Sequence, residues 1–276
     1  VILDQVWKRY GDTVAISNLS LNIEQGEFFV LFGPAGAGKT TTLNLIAGFV
    51  DLTAGDIYFG DKLVNDIPPE DRNVAMAFEN YSLFPHMTIF DNLANPLRAP
   101  NVNMNSVEIT ARVNRTAELL NIVELLGRYP HQLSGGQKQR TALGRALVKE
   151  ADILLLDEPL AHVDAKIRHE LRTEFHRIDE FKEHTIVYVT HDYMEALSLG
   201  ERIGVLNQGQ IHQIADERDI YEKPIDVFVA ESIGWPKINI LDCEVKQEDG
   251  GVNLYSPDLD QNIRPMKEEG DYITDL

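Results

Sequence analysis

The stretch EFFVLFGPAGAGKTTTLNLIA (27–47) decides the fold. Its first part, EFFVLF (27–32), is a short apolar run that ends at a glycine, which is typical of a buried parallel strand. Its last part, from Lys39 to Ala47, predicts a helix that ends at Gly48. A strand, a glycine-rich turn and a helix in this order predict the first unit of an α/β fold.

The turn between strand and helix, GPAGAGKT (33–40), fits the phosphate-binding pattern G-x-x-x-x-G-K-[ST]. Glycines let the backbone curl so that successive N–H groups point at one anion, and the helix N-terminus adds positive charge. Lys39 is expected to reach the β- and γ-phosphates of a nucleotide, and the Thr40 hydroxyl to ligate Mg²⁺. The residues expected to contact the nucleotide here are Gly33, Pro34, Ala35, Gly36, Ala37, Gly38, Lys39, Thr40 and Thr41.

Acidic residues follow a second apolar run, ILLLDEP (153–159). This strand carries Asp157 to the carboxyl edge of the predicted sheet, where ligands bind in open α/β folds. Asp157 is expected to hold Mg²⁺ through water, and Glu158 to orient or deprotonate the attacking water. His191 closes the strand TIVYVTH (185–191). It could donate a hydrogen bond to the γ-phosphate, although a lone histidine in such a position is more often structural.

Strands and helices alternate along much of the chain, which predicts a parallel sheet interrupted by a helical insertion at about 88–150. The other expected strands are 1–7, 14–23, 73–78 and 151–159, with helices at about 164–181 and 192–200 and a hairpin at 202–214. After residue 236 the sequence becomes acidic and shows short β-like runs. We therefore expect one domain over 1–236 and the start of a small β domain over 237–276.

Composition limits the possible partners. The formal charge is −19, from 25 basic and 44 acidic residues, so nucleic-acid phosphates would be repelled. The single cysteine, Cys243, permits no intramolecular disulfide, which fits a reducing compartment. No run of 18 apolar residues exists, so we expect no membrane-spanning helix, and work at a membrane would need another chain.

A further motif, LSGGQKQR (133–140), lies between these sites. GPAGAGKT, LSGGQKQR, ILLLDEP and the histidine after VYVT occur in that order, and together they resemble the ATP-binding subunit of an ABC transporter over residues 1 to about 236. NYSLFPHMT (80–88) and LAHVDAK (160–166) are more closely similar to ATPases of carbohydrate importers, of the maltose and glycerol-phosphate type. Those proteins carry a C-terminal oligonucleotide-fold-like regulatory domain.

The resemblance implies an α/β fold of the P-loop NTPase class, with a RecA-like parallel sheet, an antiparallel β subdomain, a helical subdomain and a partial OB-like C-terminal domain. It also implies that two subunits stack head to tail, with each ATP between one phosphate loop and the partner's signature motif. The residues expected to contact ATP in trans are Ser134, Gly135, Gly136 and Gln137. Tyr10 aligns with the aromatic residue that stacks on adenine, and Asp164 with the loop that couples the two sites.

The resemblance further implies partners and a location. The expected partners are a second ATPase subunit, two transmembrane permease subunits and, through the complex, an extracytoplasmic solute-binding protein. The chain would be peripheral on the cytoplasmic face of the membrane and would drive import of a sugar, polyol or glycerol phosphate. Phe84, Pro85 and His86 are candidate contacts with the membrane chains, or alternatively a packed loop.

Two motifs depart from the family pattern: FEN (78–80) at Glu79, and LAHVDAK (160–166), which has Ala161 and His162 where small polar residues are usual. The family normally has glutamine where Glu79 stands, and a carboxylate only accepts hydrogen bonds. Glu79 could still ligate Mg²⁺, but it adds negative charge beside a triphosphate. These departures favour a hypothesis in which the chain is a slowly hydrolysing regulatory subunit paired with a different ATPase; the alternative is neutral variation in a working homodimer. Purification of a homogeneous dimer with two equally active sites would contradict the regulatory hypothesis.

A third interpretation is a soluble ABC-type ATPase of nucleic-acid maintenance. Such relatives insert long coiled coils between the phosphate loop and the signature. Here only about 100 residues separate Gly33 from Ser134, and the charge is acidic. Both observations disfavour this class.

Overall fold

The structure is a computed structural model that describes residues 1–78, 80–99, 102–149, 151–161, 184–234, 237–248 and 251–263. It divides into two compact units, Val1–Ile233 and Gly234–Leu276, and each is described by itself.

Helices and strands of the first unit are labelled in chain order. They are β1 Ile2–Tyr10, β2 Thr13–Asn22, β3 Phe28–Phe32, α1 Lys39–Ala47, β4 Ala54–Phe59, β5 Lys62–Leu63, β6 Val74–Ala77, α2 Ile89–Ala94, α3 Ser106–Leu119, α4 Gly135–Leu147, β7 Ile153–Asp157, β8 Thr185–Thr190, α5 Tyr193–Leu199, β9 Arg202–Asn207, β10 Gln210–Ala215, α6 Glu217–Glu222 and α7 Val227–Ser232.

A six-stranded sheet with the order β10-β9-β3-β8-β7-β6 forms the centre of this unit. Strands β9, β3, β8, β7 and β6 are parallel, and β10 returns antiparallel to β9. Every residue of β3, β7 and β8 is buried, as the apolar runs predict for a sheet covered on both faces. Phe28 and Val30 enter one hydrophobic cluster and Phe29 and Leu31 the other, as the two-residue period of a strand requires. The predicted parallel α/β core is confirmed.

A second sheet is antiparallel, with the order β2-β1-β4-β5. Strand β1 continues to Tyr10, beyond the predicted end at residue 7, and pairs with β2 through the register Tyr10↔Thr13. The sequence pattern did not indicate β4 and β5. In β4 only Ile57 is fully buried, so its sequence carries no alternation of apolar and polar residues.

Three helices, α2, α3 and α4, lie between β6 and β7 and pack against one another. Each begins at a short polar side chain that accepts a hydrogen bond from the first turn: Thr88, Asn105 and Ser134. Across the described residues, no helix is both long and apolar enough to cross a bilayer. The helix expected at about 164–181 lies outside the described residues.

The second unit contains a three-stranded antiparallel sheet with the order β11-β12-β13. Its strands are Glu244–Glu248, Gly251–Ser256 and Gln261–Ile263. The Tyr255 hydroxyl donates a hydrogen bond to Asp260 Oδ1 at 2.7 Å across the turn between β12 and β13. These strands agree with the β-like runs of the sequence.

Candidate nucleotide site

The phosphate loop joins β3 to α1. Gly38, the residue before α1, has φ 109°, a left-handed conformation that favours glycine. A Cβ atom there would lie 2.7 Å from Ile16 Cδ1 and 2.8 Å from the Ala15 carbonyl oxygen. The last glycine of GPAGAGKT is therefore required both by its backbone angle and by the closeness of β2.

The turn between β9 and β10 supports this loop. The Gly209 N–H donates to the Ala37 carbonyl at 2.8 Å, and the Gly209 carbonyl accepts from the Ser17 N–H at 2.9 Å. Thus the loop is bonded to one turn, and that turn is bonded to the antiparallel sheet. Pro34, Ala35 and Gly36 remain exposed, so the opposite face of the loop is open to a ligand.

Lys39 places a positive charge inside the loop although its side chain is only 6% exposed. Its ammonium group donates to the carbonyl oxygens of Gly33 at 2.9 Å and Pro34 at 3.0 Å. It also lies 3.9 Å from Glu158 Oε1. The lysine is thus held at the mouth of the loop, where an anion would meet it.

Arg72 fixes the other end of α1. This buried guanidinium donates from Nη1 to the carbonyl oxygens of Leu45 and Ile46, both at 2.9 Å. A cation suits the negative end of a helix. Burial lowers the pKa of Arg72, and Asp51 partly offsets that shift. Sequence reasoning missed this residue, because an isolated arginine in a loop gives no signal of what it caps.

Two oxygen ligands of the kind that Mg²⁺ prefers lie side by side. Asp157 ends β7 and is 3% exposed, and the Thr40 hydroxyl donates to its Oδ1 at 3.1 Å. No cluster of three His, Cys, Asp or Glu that could hold a metal occurs within the described residues. A carboxylate and a hydroxyl fit Mg²⁺, which commonly takes few protein ligands and completes its shell with water and substrate phosphate oxygens.

Glu158 stands on a sharp turn beside these ligands. Its φ is 46°, an uncommon left-handed value for a residue with a side chain. Its N–H donates to the Val189 carbonyl at 3.0 Å. One carboxylate oxygen, Oε2, lies 2.9 Å from Nδ1 of His191, whose side chain is 59% exposed. The structure therefore brings Lys39, Glu158 and His191 to one edge of the sheet.

The signature motif occupies the start of α4. Ser134 Oγ accepts from the Gln137 N–H at 3.4 Å, and the Ser134 N–H donates to Gln137 Oε1 at 3.0 Å. This reciprocal capping box satisfies donors of the helix start from within the motif. The N–H groups of Gly135 and Gly136 belong to the first turn, which has no acceptor inside the helix. Ser134 and Gly135 are exposed.

One buried residue of the same motif contacts the turn that carries Glu158. Gln139 is 4% exposed, and its Nε2 donates to the Glu158 carbonyl oxygen at 3.1 Å. Sequence reasoning treated LSGGQKQR as a surface for another subunit and missed this internal contact. A signal was present, because Gln139 lies three and four residues before the apolar Ala142 and Leu143, a spacing that places all three on one side of the helix.

Of three further predicted residues, the structure describes Tyr10 alone. Tyr10 is 47% exposed at the end of β1, with the Lys8 ammonium 4.7 Å from its ring centre. Glu79 and Asp164 lie outside the described residues.

The family model described as ABC transporter matches residues 16–161.

The chain belongs to the ABC transporter family.

Similar curated proteins include the trehalose/maltose import ATP-binding protein MalK of Thermococcus litoralis, 47% identical over 92% of this chain and 69% of that protein. The sn-glycerol-3-phosphate import ATP-binding protein UgpC of Brucella abortus is 43% identical over 100% of this chain and 80% of that protein. The bacterial cassette MJ0796, solved as a dimer, is 31% identical with a TM-score of 0.73, covering 79% of this chain and 98% of that chain. A dimeric post-hydrolysis state of that cassette holds ADP and Pi, with a TM-score of 0.72.

These matches confirm the family, the P-loop α/β fold and the assignment as an ATP-binding, ATP-hydrolysing cassette. The sequence motifs had predicted all three. The roles of individual site residues stay predictions and are developed below.

Proposed function

We propose that this chain is the ATPase subunit of a membrane import complex for a sugar, polyol or glycerol phosphate. The names of its MalK and UgpC relatives support the solute class. The observation that carries the mechanism is a division of the site. A phosphate loop, carboxylates and a histidine meet at one edge of the core sheet, whereas Ser134 and Gly135 of the signature are exposed at the start of α4. Each half offers donors to a triphosphate.

On the phosphate-loop side, residues 33–41 surround the ATP phosphates, which accept hydrogen bonds from backbone N–H groups of the non-proline residues and from the ammonium of Lys39. Tyr10 offers its exposed ring to the adenine base. Thr40 would ligate Mg²⁺ and Asp157 would hold it through water, with Glu79 as a further ligand predicted from the sequence. When bound, the metal neutralises charge on the phosphate oxygens.

Hydrolysis depends on Glu158 and His191. Glu158 accepts a proton from the attacking water, or orients that water, and its neighbours suit the role. Lys39 lies at 3.9 Å and His191 at 2.9 Å, so donors flank the carboxylate on two sides. His191 is positioned to donate a hydrogen bond toward the γ-phosphate.

On the signature side, Ser134 and the N–H groups of Gly135 and Gly136 cap the γ-phosphate of ATP bound to a second subunit, with Gln137 completing the motif. A helix N-terminus with free donors is an anion site in its own right. Two chains stacked head to tail therefore enclose two nucleotides, and Asp164 is proposed to couple them. The dimeric state of the similar cassette MJ0796 supports this arrangement.

Mixing two damaged chains tests the trans arrangement. Lys39→Ala removes the phosphate-loop cation, and Ser134→Ala removes a hydroxyl from the signature. In a mixed dimer, one site receives both defects and the other receives neither. We expect each variant alone to be impaired and the mixture to recover phosphate release above the sum of its parts. Activity that never exceeds that sum would contradict a site shared between chains.

The permease contact is proposed at the loop with Phe84, Pro85 and His86, which are exposed. Buried Asn92 holds this loop: its Oδ1 accepts from the Phe84 N–H at 2.8 Å, and its Nδ2 donates to the Phe84 and Met87 carbonyls. The Arg145 guanidinium lies 5.4 Å from the Phe84 ring centre. An exposed aromatic ring on a braced loop suits a docking surface.

Through that loop the chain would associate with two permease subunits on the cytoplasmic face of the membrane, and through them with an extracytoplasmic solute-binding protein. The alternative based on Glu79, a slow regulatory subunit beside a different ATPase, makes a separate prediction. Equal turnover at both sites of the purified dimer would exclude it.

A further inference from the structure

The buried hydroxyl of Thr190 holds the turn that carries His191. Thr190, 2% exposed, precedes the histidine, and Asp192 follows it. The Thr190 Oγ1 accepts from the Asp192 N–H at 3.0 Å and donates to Glu195 Oε2 at 2.8 Å. The turn around His191 is thus closed by a side chain rather than by a backbone ladder.

The Glu195 carboxylate accepts the hydrogen bond that the Thr190 hydroxyl donates. It is 3% exposed, in the first turn of α5, and its Oε2 also accepts from the Tyr188 hydroxyl at 2.8 Å. Burying a carboxylate is unfavourable unless its oxygens are hydrogen-bonded. Two hydroxyl donors meet one oxygen here, so the contact to Thr190 is part of what stabilises the carboxylate in the core.

The imidazole itself has little packing to fix it, because more than half of its surface is exposed. Its position relative to Glu158 therefore depends on the backbone turn beneath it. The Thr190 carbonyl also accepts from the Gly33 N–H at 3.4 Å, which joins the same residue to the start of the phosphate loop. Thr190 is thus bonded to the start of the phosphate loop, to the residue after the histidine and to the first turn of α5.

We propose that Glu195, acting through the Thr190 hydroxyl, is a positioning residue that sets the turn of His191. It keeps the imidazole within reach of Glu158 and of the γ-phosphate. The inference rests on the proposed role of His191 in ATP hydrolysis. Neither Glu195 nor Thr190 is among the residues proposed to contact the nucleotide, so their effect passes through the geometry of the turn.

The chain offers a matched pair of variants for the test. Thr190→Val keeps the shape but removes both hydrogen bonds of the turn. Tyr188→Phe removes the other hydrogen bond to the same Glu195 oxygen and leaves the turn intact. We expect both to lower the melting temperature, and only Thr190→Val to lower kcat, by about tenfold, because small misplacements of a catalytic group are costly. The KM for ATP stays within about twofold, and Thr190→Ser, which keeps the hydroxyl, retains most of the turnover.

Combination with His191→Ala separates positioning from general damage. If Thr190 acts through His191, adding Thr190→Val to His191→Ala lowers kcat no further. Two losses that multiply, or equal losses in Thr190→Val and Tyr188→Phe, would overturn the inference and leave the proposed function standing. Unchanged turnover in His191→Ala alone would instead overturn the role of the histidine, and the inference with it.

Discussion

The phosphate-loop side and the signature side of this chain use the same device, a helix start rich in glycine, but they are completed differently. At α1 the loop is bonded to the β9–β10 turn, and Lys39 and Thr40 are already joined to carbonyl or carboxylate partners. At the start of α4 the Ser134–Gln137 capping box keeps its hydrogen bonds within the motif itself, and Ser134 and Gly135 are exposed. The phosphate-loop side is therefore assembled by the fold of a single chain, whereas the signature side presents its hydrogen-bond donors to solvent.

Because of this difference, some defects are measurable in an isolated chain and others only in a dimer. Damage to the phosphate-loop side should appear in nucleotide binding and in the stability of the isolated chain. Damage to the signature side should appear only in turnover, when two chains meet. Three sets of variants separate these two kinds of defect.

Glu158→Gln should lower ATP turnover by about 10²- to 10⁴-fold, because an amide cannot accept the proton of the attacking water. ATP still binds, so the chain should accumulate as an ATP-bound dimer on size-exclusion chromatography. Glu124→Gln, at an exposed glutamate, is the control and should leave turnover unchanged. Turnover near that of the unmodified chain in Glu158→Gln would remove Glu158 from the mechanism.

Gly38→Ala should weaken nucleotide binding by roughly tenfold or more, since a side chain in this left-handed conformation costs about 1–3 kcal/mol. The added Cβ would also press against Ile16 and the Ala15 carbonyl. The measurement is a titration with a fluorescent ATP analogue, together with thermal unfolding. Gly127→Ala, where a Cβ meets nothing within 4 Å, is the control. Unaltered affinity in Gly38→Ala would show that the loop is not held by its contact with β2.

Gln139→Met should lower kcat by about two- to tenfold, the equivalent of one neutral hydrogen bond. Gln139 lies on the signature helix and donates a hydrogen bond to the Glu158 carbonyl. Its loss therefore loosens the turn of Glu158 and leaves the phosphate loop intact. Affinity for ATP should not change. Thr141→Val, at a fully buried hydroxyl on the same helix that bonds to the Gln137 carbonyl, is the matched control. Equal kcat values for the two variants would reduce Gln139 to a packing residue.

The sequence was most informative where one local pattern is sufficient. The phosphate loop and the ends of α1 follow from glycines, a lysine and an apolar strand in a row, and the structure places α1 at the predicted Lys39–Ala47. The burial of Asp157 follows from the apolar strand before it. In these places the functional residues are neighbours in the sequence, so a local sequence pattern is sufficient to predict them.

It was least informative where the partner is distant in the chain. Arg72 closes a helix that ends 25 residues earlier, and the Gly209 N–H that bonds to the Ala37 carbonyl of the phosphate loop lies in a turn far along the chain. Strand β4 was missed because a single buried residue, Ile57, produces no periodicity. Such contacts depend on tertiary packing, which no local pattern records.

The order of strands in the core sheet also has a consequence for biosynthesis. Strand β3 lies at its centre and pairs with β8 and β9, so that Phe28 meets Ile186 and Phe29 meets Arg202. A ribosome adding about 5–20 residues per second leaves the run FFVLF unpaired for on the order of ten seconds. During that interval the most apolar strand of the nascent chain has no native neighbour, which makes it the natural segment for a chaperone to shield.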